Sequence, residues 1–373
     1  SVKLCLAVIG WKTEASRRSQ EKRSAEIQTQ RCEQENTEKG DRTVMVGFGD
    51  ALQSATTQFQ QFLTLGGKPS NRMAMRMVRD CVPPMSFKKQ KGSYGKICII
   101  GGSFEYTGPP YFSAISAMKT GADWAPIVCH PTAAPVIKSY SPELTVYPSL
   151  EDGFFQTTID TLLNQIDVAI LATGLGRDPS IGSLTITFFE KARERQLPVV
   201  IDADGLHLLS ENLALLQGYT RLILTPNETE FGELYEKVIG KSVDQSDVEE
   251  ATMHLAQKLN YVTIVRKGAQ DVISDGHSVI QCDLLNSPRH CGNQGDLLTG
   301  AMATFLHWTY DRFSNQENPT SAGDSYSAPV LAAFAACCLV RQCNRLAFQK
   351  FSRSTTAGNM VGEIQAAFHG LFE

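Results

Sequence analysis

From Lys96 onward the chain alternates short, β-branched apolar runs with amphipathic stretches, and this alternation restricts the fold more than any other sequence feature. It predicts five strands, at Lys96–Ile100, Val168–Ala172, Val199–Ala203, Arg221–Thr225 and Val262–Arg266. It also predicts helices between them, such as Phe154–Ile166, Gly182–Arg195 and Asp247–Leu259. The expected fold class is therefore α/β, with a central, mainly parallel sheet and helices on both faces.

Polar or glycine-rich residues follow each of the five predicted strands. They are Gly101-Gly102-Ser103, Thr173 to Gly176, Asp204-Gly205, Pro226-Asn227 and Lys267-Gly268. The carboxyl ends of parallel strands meet at one edge of a sheet, and ligands of such folds bind beyond that edge. We therefore expect these residues to surround a ligand site.

Length, charge and hydropathy narrow the class of protein. With 373 residues and 42% hydrophobic content, the chain can bury a large core. We predict a catalytic domain over 71–373, preceded by a polar leader over 1–70 that is disordered or partly helical. A net charge of −4 provides no overall attraction to nucleic acid or to an anionic membrane. No apolar run approaches 18 residues, so we expect no membrane span.

The ten cysteines include no CxxC pair and no zinc-type spacing with histidine, which predicts buried free thiols. The acidic residues of the leader, such as Glu14 and Glu21, are unusual in a mitochondrial transit peptide. We expect a cytoplasmic location, with mitochondria left open as a second one. The sequence also leaves open whether the chain forms a homo-oligomer.

The run Cys291-Gly292-Asn293-Gln294-Gly295-Asp296 ends a polar stretch and precedes an apolar helical stretch, Leu297–Tyr310. Glycine backbone and the start of a helix together favour binding of phosphate. Phosphate would repel an aspartate there, so Asp296 fits a general base that takes a proton from an attacking hydroxyl group. Alternatively, Asp296 only caps its helix. The motif alone leaves both interpretations open.

Three other segments each have a structural and a functional interpretation. Lys267–Asp271 fits either a turn at the start of a hairpin or a loop at the edge of a nucleotide site. Asn227 and Glu230 fit a capping box, and they equally fit a site for substrate or hydrated magnesium. Gly174–Pro179 is a glycine-rich turn that permits close approach of a ligand to the backbone. The chain lacks the GxxxxGK[ST] phosphate loop and the protein-kinase motifs.

Seven motifs in order carry a resemblance to a known family. They are KGSYGK, IIGGSFEYTGPPYFSA, TGLGRDP, VIDADGLHLL, LTPNETEF, VRKGAQD and CGNQGDLLTGAMA. From about Ser86 to Glu373 the chain resembles the ATP-dependent NAD(P)H-hydrate dehydratases of the ribokinase-like superfamily. The resemblance implies a ribokinase-like fold and a lyase that spends ATP, with Mg²⁺, to restore NADH and NADPH from their hydrates, (S)-NADHX and (S)-NADPHX.

The resemblance also implies which residues form the site. It assigns ATP binding to Lys267, Gly268, Ala269, Gln270, Asp271, Arg289, His290, Cys291, Gly292, Asn293, Gln294 and Gly295. It assigns the hydrated dinucleotide to Gly176, Asn227, Glu228, Thr229, Glu230, Phe231, Gly232, Glu233 and Asp296. Asp296 would be the catalytic base that deprotonates the hydroxyl group on C6 of the hydrated ring. No metal ligand is assigned.

Three departures from the family pattern leave alternatives open. Asn293 stands where glycine is expected, Pro109-Pro110 replaces Ala-Pro, and Ala357–Met360 replaces a serine-aspartate pair. One alternative is a ribokinase-like kinase of a small alcohol such as a vitamin precursor, which would release a stable phosphate ester. Another is a catalytically silent nucleotide-binding protein. The sequence does not decide between NADHX and NADPHX as the preferred substrate.

Overall fold

The computed structural model describes residues 68–151, 153–314 and 326–373, without the side chain of Ala172. Nine strands of these segments form one sheet in the order β3-β2-β1-β4-β5-β6-β7-β8-β9. They are β1 (Ile97–Gly101), β2 (Ile127–Cys129), β3 (Val146–Pro148), β4 (Val168–Thr173), β5 (Val199–Ile201), β6 (Leu222–Leu224), β7 (Thr263–Arg266), β8 (Asp271–Ser274) and β9 (Val279–Cys282). Neighbouring strands from β3 to β7 are parallel, whereas β8 and β9 pair antiparallel.

The five predicted strands are all present, with ends that differ by at most two residues. The turn predicted at Lys267–Asp271 does open a hairpin, because it joins β7 to the antiparallel β8. The short strands β2 and β3 were not predicted. Each has three residues and adjoins or contains a proline, which is too little for a periodic pattern to mark.

Helices cover both faces of the sheet, as predicted. They are α1 (Pro69–Cys81), α2 (Gly108–Thr120), α3 (Ala134–Tyr140), α4 (Phe155–Leu162), α5 (Pro179–Glu194), α6 (Asp204–Ser210), α7 (Leu213–Leu216), α8 (Glu228–Ile239), α9 (Val248–Lys258), α10 (Gln294–Ser314), α11 (Ala328–Phe351) and α12 (Ala357–Phe372). Side chains of α4, α5, α6, α8 and α9 share one buried cluster with strand residues. On the other face, α2, α10 and α11 pack against the sheet, and α12 packs against these helices.

Helix α10 is locked against α2 at its first turns. Ser116 Oγ donates to the Leu297 carbonyl over 2.7 Å, and the hydroxyl oxygens of Ser113 and Thr299 lie 3.1 Å apart. A Cβ on Gly300 would lie 2.1 Å from the Ser113 carbonyl oxygen, so the backbones pass too closely for any side chain. This contact fixes the start of α10, where Asp296 lies.

The expectation that no apolar span approaches 18 residues was wrong for α11. An 18-residue window within Ala328–Ser354 has a mean hydropathy of 1.3, which satisfies the length and composition of a membrane span. However, 89% of that window is buried inside the protein. The helix is apolar all round because it lies in the core between α10, α12 and the sheet.

The eight cysteines of the described segments are free, and seven of them are buried, as predicted. The predicted leader lies outside the described residues except for Lys68, Pro69 and Ser70, and α1 begins at Pro69. The domain boundary and the cytoplasmic location therefore stay predictions.

We predict that Gly300→Ala destabilises the protein because its Cβ would overlap the α2 backbone. Overpacking of this kind costs about 1–3 kcal/mol in the free energy of unfolding, measured by urea denaturation. Gly362→Ala is the matched control, since Gly362 is an exposed glycine within α12 with open space around its Cβ position. It should gain up to about 1 kcal/mol from helix propensity. Equal effects at both positions would contradict the close contact of α10 with α2.

Candidate functional site

Residues that follow β5, β6 and β7 form a buried charged cluster at the carboxyl edge of the sheet. Lys267 Nζ donates to Asp202 Oδ1 over 2.6 Å, and Thr225 Oγ1 donates to the same oxygen over 2.8 Å. Asp202 is 3% exposed. Burial lowers the pKa of Lys267, but attraction to Asp202, Glu230 and Asp296 outweighs it, so the pKa is raised. Lys267 is therefore a firmly charged cation among three carboxyl groups.

Asp296 lies in the first turn of α10 and is 8% exposed. Its pKa is raised from 3.8 to about 7, first by burial and then by the like charge of Asp202. A hydrogen bond from Asn293 Nδ2 to Asp296 Oδ2, 2.9 Å long, and the charge of Lys267 act in the opposite direction. A carboxyl group with a pKa near 7 can both take up and release a proton at neutral pH.

Asp296 is not the helix cap that the alternative interpretation required. The backbone carbonyl of Asn293 accepts the first helical hydrogen bond, from Leu297 N over 3.2 Å. Asn293 therefore occupies the capping position and Asp296 lies three residues further on. Since a cap explains neither the burial of Asp296 nor its raised pKa, the general-base interpretation is favoured.

We predict that Asp296→Asn stabilises the protein more strongly as the pH rises. Between pH 3.8 and about 7 the folded state holds a proton on Asp296 that the unfolded state has lost, so this group weakens stability as the pH increases. Asparagine removes that dependence. Urea denaturation at about pH 5 and about pH 8 should show a larger stabilisation by the variant at the higher pH. An equal stabilisation by Asp296→Asn at the two pH values would mean that the pKa of Asp296 is the same in the folded and the unfolded protein.

The glycine run at the start of α10 contains one closely packed glycine and one in open space. A Cβ on Gly295 would lie 2.9 Å from Asp202 Oδ2, whereas a Cβ on Gly292 would meet open space. Asn293 has a φ of 66°, a left-handed conformation that asparagine tolerates better than most residues. The Gln294 side chain accepts from Cys291 N over 3.1 Å and so closes the turn. The start of α10 thus presents a small, well-fixed backbone surface.

A cavity of about 440 Å³ adjoins this surface. Its lining residues are Asn227, Glu228, Thr229, Lys267, Gly268, Asp271, Asn286, His290, Gln294, Gly295, Leu298, Cys337, Val340 and Arg341. Six of the residues predicted for ATP are among them, namely Lys267, Gly268, Asp271, His290, Gln294 and Gly295. Arg289 instead donates from Nε to the Thr355 carbonyl over 3.4 Å, which directs its side chain toward the loop before α12.

Arg341 of α11 stabilises the Lys267–Asp271 turn through three hydrogen bonds. Its Nε donates to Asp271 Oδ2 over 2.7 Å, and its two Nη atoms donate to the carbonyls of Ala269 and Gly268 over 2.9 and 2.8 Å. Arg341 is 5% exposed. A planar, five-donor group suits this combination of a carboxylate and two carbonyls better than lysine would.

We predict that Arg341→Met destabilises the protein by about 3–5 kcal/mol, because it leaves the buried Asp271 carboxylate without its partner. Arg345, one turn later on α11, is the matched control, since it donates to Gln342 on its own helix. Arg345→Met should stay within about 0.5–1 kcal/mol. Urea denaturation measures both variants, and equal losses would contradict the role of the buried ion pair.

The segment predicted to bind the hydrated dinucleotide forms the start of α8. The capping box is real: Asn227 Oδ1 accepts from Thr229 N and Glu230 N, and Glu230 Oε2 accepts from Asn227 N. A second cavity of about 310 Å³ is lined by Asn227, Thr229, Glu230 and Glu233 together with Arg177, Asp204 and His207. Capping and ligand contact are therefore compatible for the same residues.

The remaining predicted substrate residues have different surroundings. Gly176 adopts a φ of 71° and donates from its N to Asp204 Oδ2 over 3.0 Å. It lines a third cavity of about 350 Å³, which shares Arg177, Asp204 and His207 with the second one. The Phe231 ring, in contrast, is fully buried in the core. Its side chain supports α8 and does not reach any of these cavities.

Asp202 and Arg341 are among the residues of the site that were not predicted. Asp202 belongs to the quoted motif VIDADGLHLL and follows a strand, so its position was a usable signal. Arg341 ends an alanine-rich apolar stretch, and an arginine inside a buried helix signals a carboxylate partner elsewhere in the fold. The partners of these two residues, Lys267 and Asp271, are distant from them in sequence, so only the packing of the fold identifies them.

Comparison with known proteins identifies relatives. The family model described as NAD(P)H-hydrate dehydratase matches residues 97–366. An ATP-dependent (S)-NAD(P)H-hydrate dehydratase from Bos taurus is 45% identical over 299 residues, which cover 80% of this chain and 89% of the relative.

Solved structures agree on the fold. A ribokinase-like superfamily protein from Enterococcus faecalis is similar with a TM-score of 0.63 and 18% identity, over 80% of this chain and 95% of its own. An ADP/ATP-dependent NAD(P)H-hydrate dehydratase from Bacillus subtilis, co-crystallised with ATP/Mg²⁺, is similar with a TM-score of 0.60 and 22% identity. The match covers 80% of this chain and 97% of the Bacillus subtilis chain. The predicted ribokinase-like fold is thus confirmed.

Proposed function

Because this chain belongs to the NAD(P)H-hydrate dehydratase family, we propose that it performs the ATP-dependent dehydration of (S)-NADHX and (S)-NADPHX to NADH and NADPH. The observation that carries the proposal is the buried Asp296 carboxyl group, with a pKa of about 7, at the start of α10. It adjoins a glycine backbone suited to phosphate and a cavity that Lys267 lines. The proposed base is therefore close in sequence and in space to the backbone and the cavity that we propose for ATP.

Asp296 begins the reaction by taking the proton of the hydroxyl group on C6 of the hydrated ring. The oxygen attacks the γ-phosphorus of ATP, so an O–P bond forms while the bond to the β-phosphate oxygen breaks and ADP leaves. Backbone N–H groups at the start of α10 and the Lys267 ammonium stabilise the negative charge on the transferring group. Asp296 itself carries a proton at this point, which removes its repulsion of the phosphate.

Elimination of phosphate completes the dehydration. The C6–O bond breaks with its electron pair leaving on phosphate, and the lone pair of the ring nitrogen drives this step. C5 then releases a proton to solvent water, and the electron pair of its C–H bond restores the C5–C6 double bond of the reduced nicotinamide. Phosphorylation of the C6 oxygen makes it a good leaving group at neutral pH, and this is why ATP is consumed.

Magnesium is part of the proposal. Among the described residues no group of three or more histidine, cysteine, aspartate or glutamate side chains could hold a metal. Mg²⁺ commonly keeps several waters and binds through one or two carboxylates plus substrate phosphates. Glu230 and Glu233, which line the second cavity, would hold its waters. When bound, the ion neutralises charge on the phosphates of ATP.

We predict that Asp296→Asn lowers kcat by roughly 10²–10⁴-fold, because it removes the general base. The assay follows the near-ultraviolet absorbance of reduced nicotinamide after (S)-NADHX, ATP and Mg²⁺ are mixed with the protein, together with release of ADP and phosphate. In the wild type, kcat/KM should rise as the pH increases through about 7, where Asp296 loses its proton.

Two controls make that test specific. ATP binding by Asp296→Asn, measured by calorimetry, should remain, since Lys267 and the glycine run are unchanged. Omitting ATP should abolish the absorbance rise. Full turnover by the variant would overturn the mechanism. If wild-type protein instead converted a small alcohol into a stable phosphate ester and left the hydrate untouched, the activity would be that of a ribokinase-like kinase.

A further inference from the structure

Asn293 stands in the glycine run at the start of α10, and its side chain makes a specific hydrogen bond. Its Nδ2 donates to Asp296 Oδ2 over 2.9 Å. Its backbone holds a φ of 66°, so the residue pays for a conformation that glycine would adopt freely. Asparagine at this position therefore adds one specific contact, which is made to the proposed base.

The Asn293 amide lies at the start of α10, beside the start of α2, and these two helices are packed closely against each other. The Cβ position of Gly108, the first residue of α2, lies 3.9 Å from Asn293 Nδ2. A few residues further along, the Gly300 contact and the Ser116 hydrogen bond lock α10 against α2. A donor fixed in this way keeps the orientation of its acceptor as well.

We infer that Asn293 is a positioning residue for the dehydration: its amide fixes one oxygen of the Asp296 carboxylate and leaves the other to accept the substrate proton. The inference rests on the proposed function of this site. An ionised carboxylate has about four acceptor sites on two oxygens, so a bond from Asn293 and a bond from substrate are compatible. A misplacement of about 1 Å at a reacting group costs roughly 10²-fold in rate.

The charges around Asp296 show why a neutral donor is suitable. Asp202, at the end of β5, disfavours ionisation of Asp296, while Lys267, at the end of β7, favours it but is already bound to Asp202. Glu230 of α8 adds a further negative charge near Lys267. Asn293 offers a hydrogen bond without a charge, so it favours the carboxylate form and does not attract the transferring phosphate away from Lys267 and the helix start.

The test compares Asn293→Gly and Asn293→Asp with the wild type. Glycine removes the donor and tolerates the left-handed backbone, whereas aspartate keeps the shape but replaces the donor with a like charge. We expect kcat at neutral pH to fall roughly 10-fold in Asn293→Gly, the scale of one lost hydrogen bond to a charged group, and further in Asn293→Asp. KM values for ATP and hydrate should change less than about 2-fold, because the lost hydrogen bond is made to Asp296 and not to either ligand.

The pH dependence of kcat/KM distinguishes a positioning role of Asn293 from a purely structural one, because a structural role would leave this dependence unchanged. In both variants the rise of kcat/KM should shift to higher pH, since loss of the donor favours protonated Asp296. Asn260→Gly is the matched control, because Asn260 also has a positive φ, 54°, but lies just after α9 and is exposed. It should change neither kcat nor the profile.

Three outcomes would overturn the inference. They are an unchanged kcat and profile in Asn293→Gly, a faster Asn293→Gly, which would make the amide an obstruction to phosphate, and a loss confined to the KM for ATP. A second measurement separates this inference from the proposed function. In protein labelled with ¹³C at aspartate carboxyl groups, NMR titration gives the pKa of Asp296, assigned through Asp296→Asn. Asn293→Gly should raise that pKa even if the wild type shows no dehydratase activity, and an unchanged value would again overturn the inference.

Discussion

The site depends on the burial of two carboxyl groups, Asp202 and Asp296, with one ammonium group, Lys267, at the end of a parallel sheet. One cation cannot neutralise both at close range, and the 2.6 Å bond commits Lys267 to Asp202. Asp296 is left with a desolvated carboxyl group that ionises near neutral pH. A charge imbalance of this kind is costly in the folded protein, and it is what a general base requires.

The fold stabilises that imbalance through rigid packing on both sides of the sheet. Asp202, Thr225 and Lys267 follow adjacent strands, so main-chain pairing sets their separation. Asp296 comes from outside the sheet, on α10, and its position depends on the close contact with α2 at Gly300. Arg341 extends the same support to the turn beside the cavity. The geometry of the site at the carboxyl edge of the sheet therefore depends on helix contacts that lie outside the site.

Sequence patterns predicted the parts of this arrangement that are local. Each of the five predicted strands, the capping box of Asn227 and Glu230, and the position of Asp296 near a helix start follow from periodicity and from residues within a few positions of one another. The pairing of Asp202 with Lys267 spans 65 residues, and that of Arg341 with Asp271 spans 70. Such partners are chosen by strand order and helix packing, and a single sequence carries no direct signal of either.

The departure at Asn293 shows how a substitution can be both tolerated and useful. The backbone requirement at this position is a left-handed conformation, which glycine meets at no cost and asparagine meets at a small one. Asparagine offsets that cost with a hydrogen bond to a charged group, worth roughly 1.5–3 kcal/mol when the acceptor is ionised. The bond is strongest for the carboxylate form, so it favours the protonation state that the proposed general base requires. The Asn293 residue thus combines a left-handed backbone conformation with a hydrogen bond that lowers the pKa of Asp296.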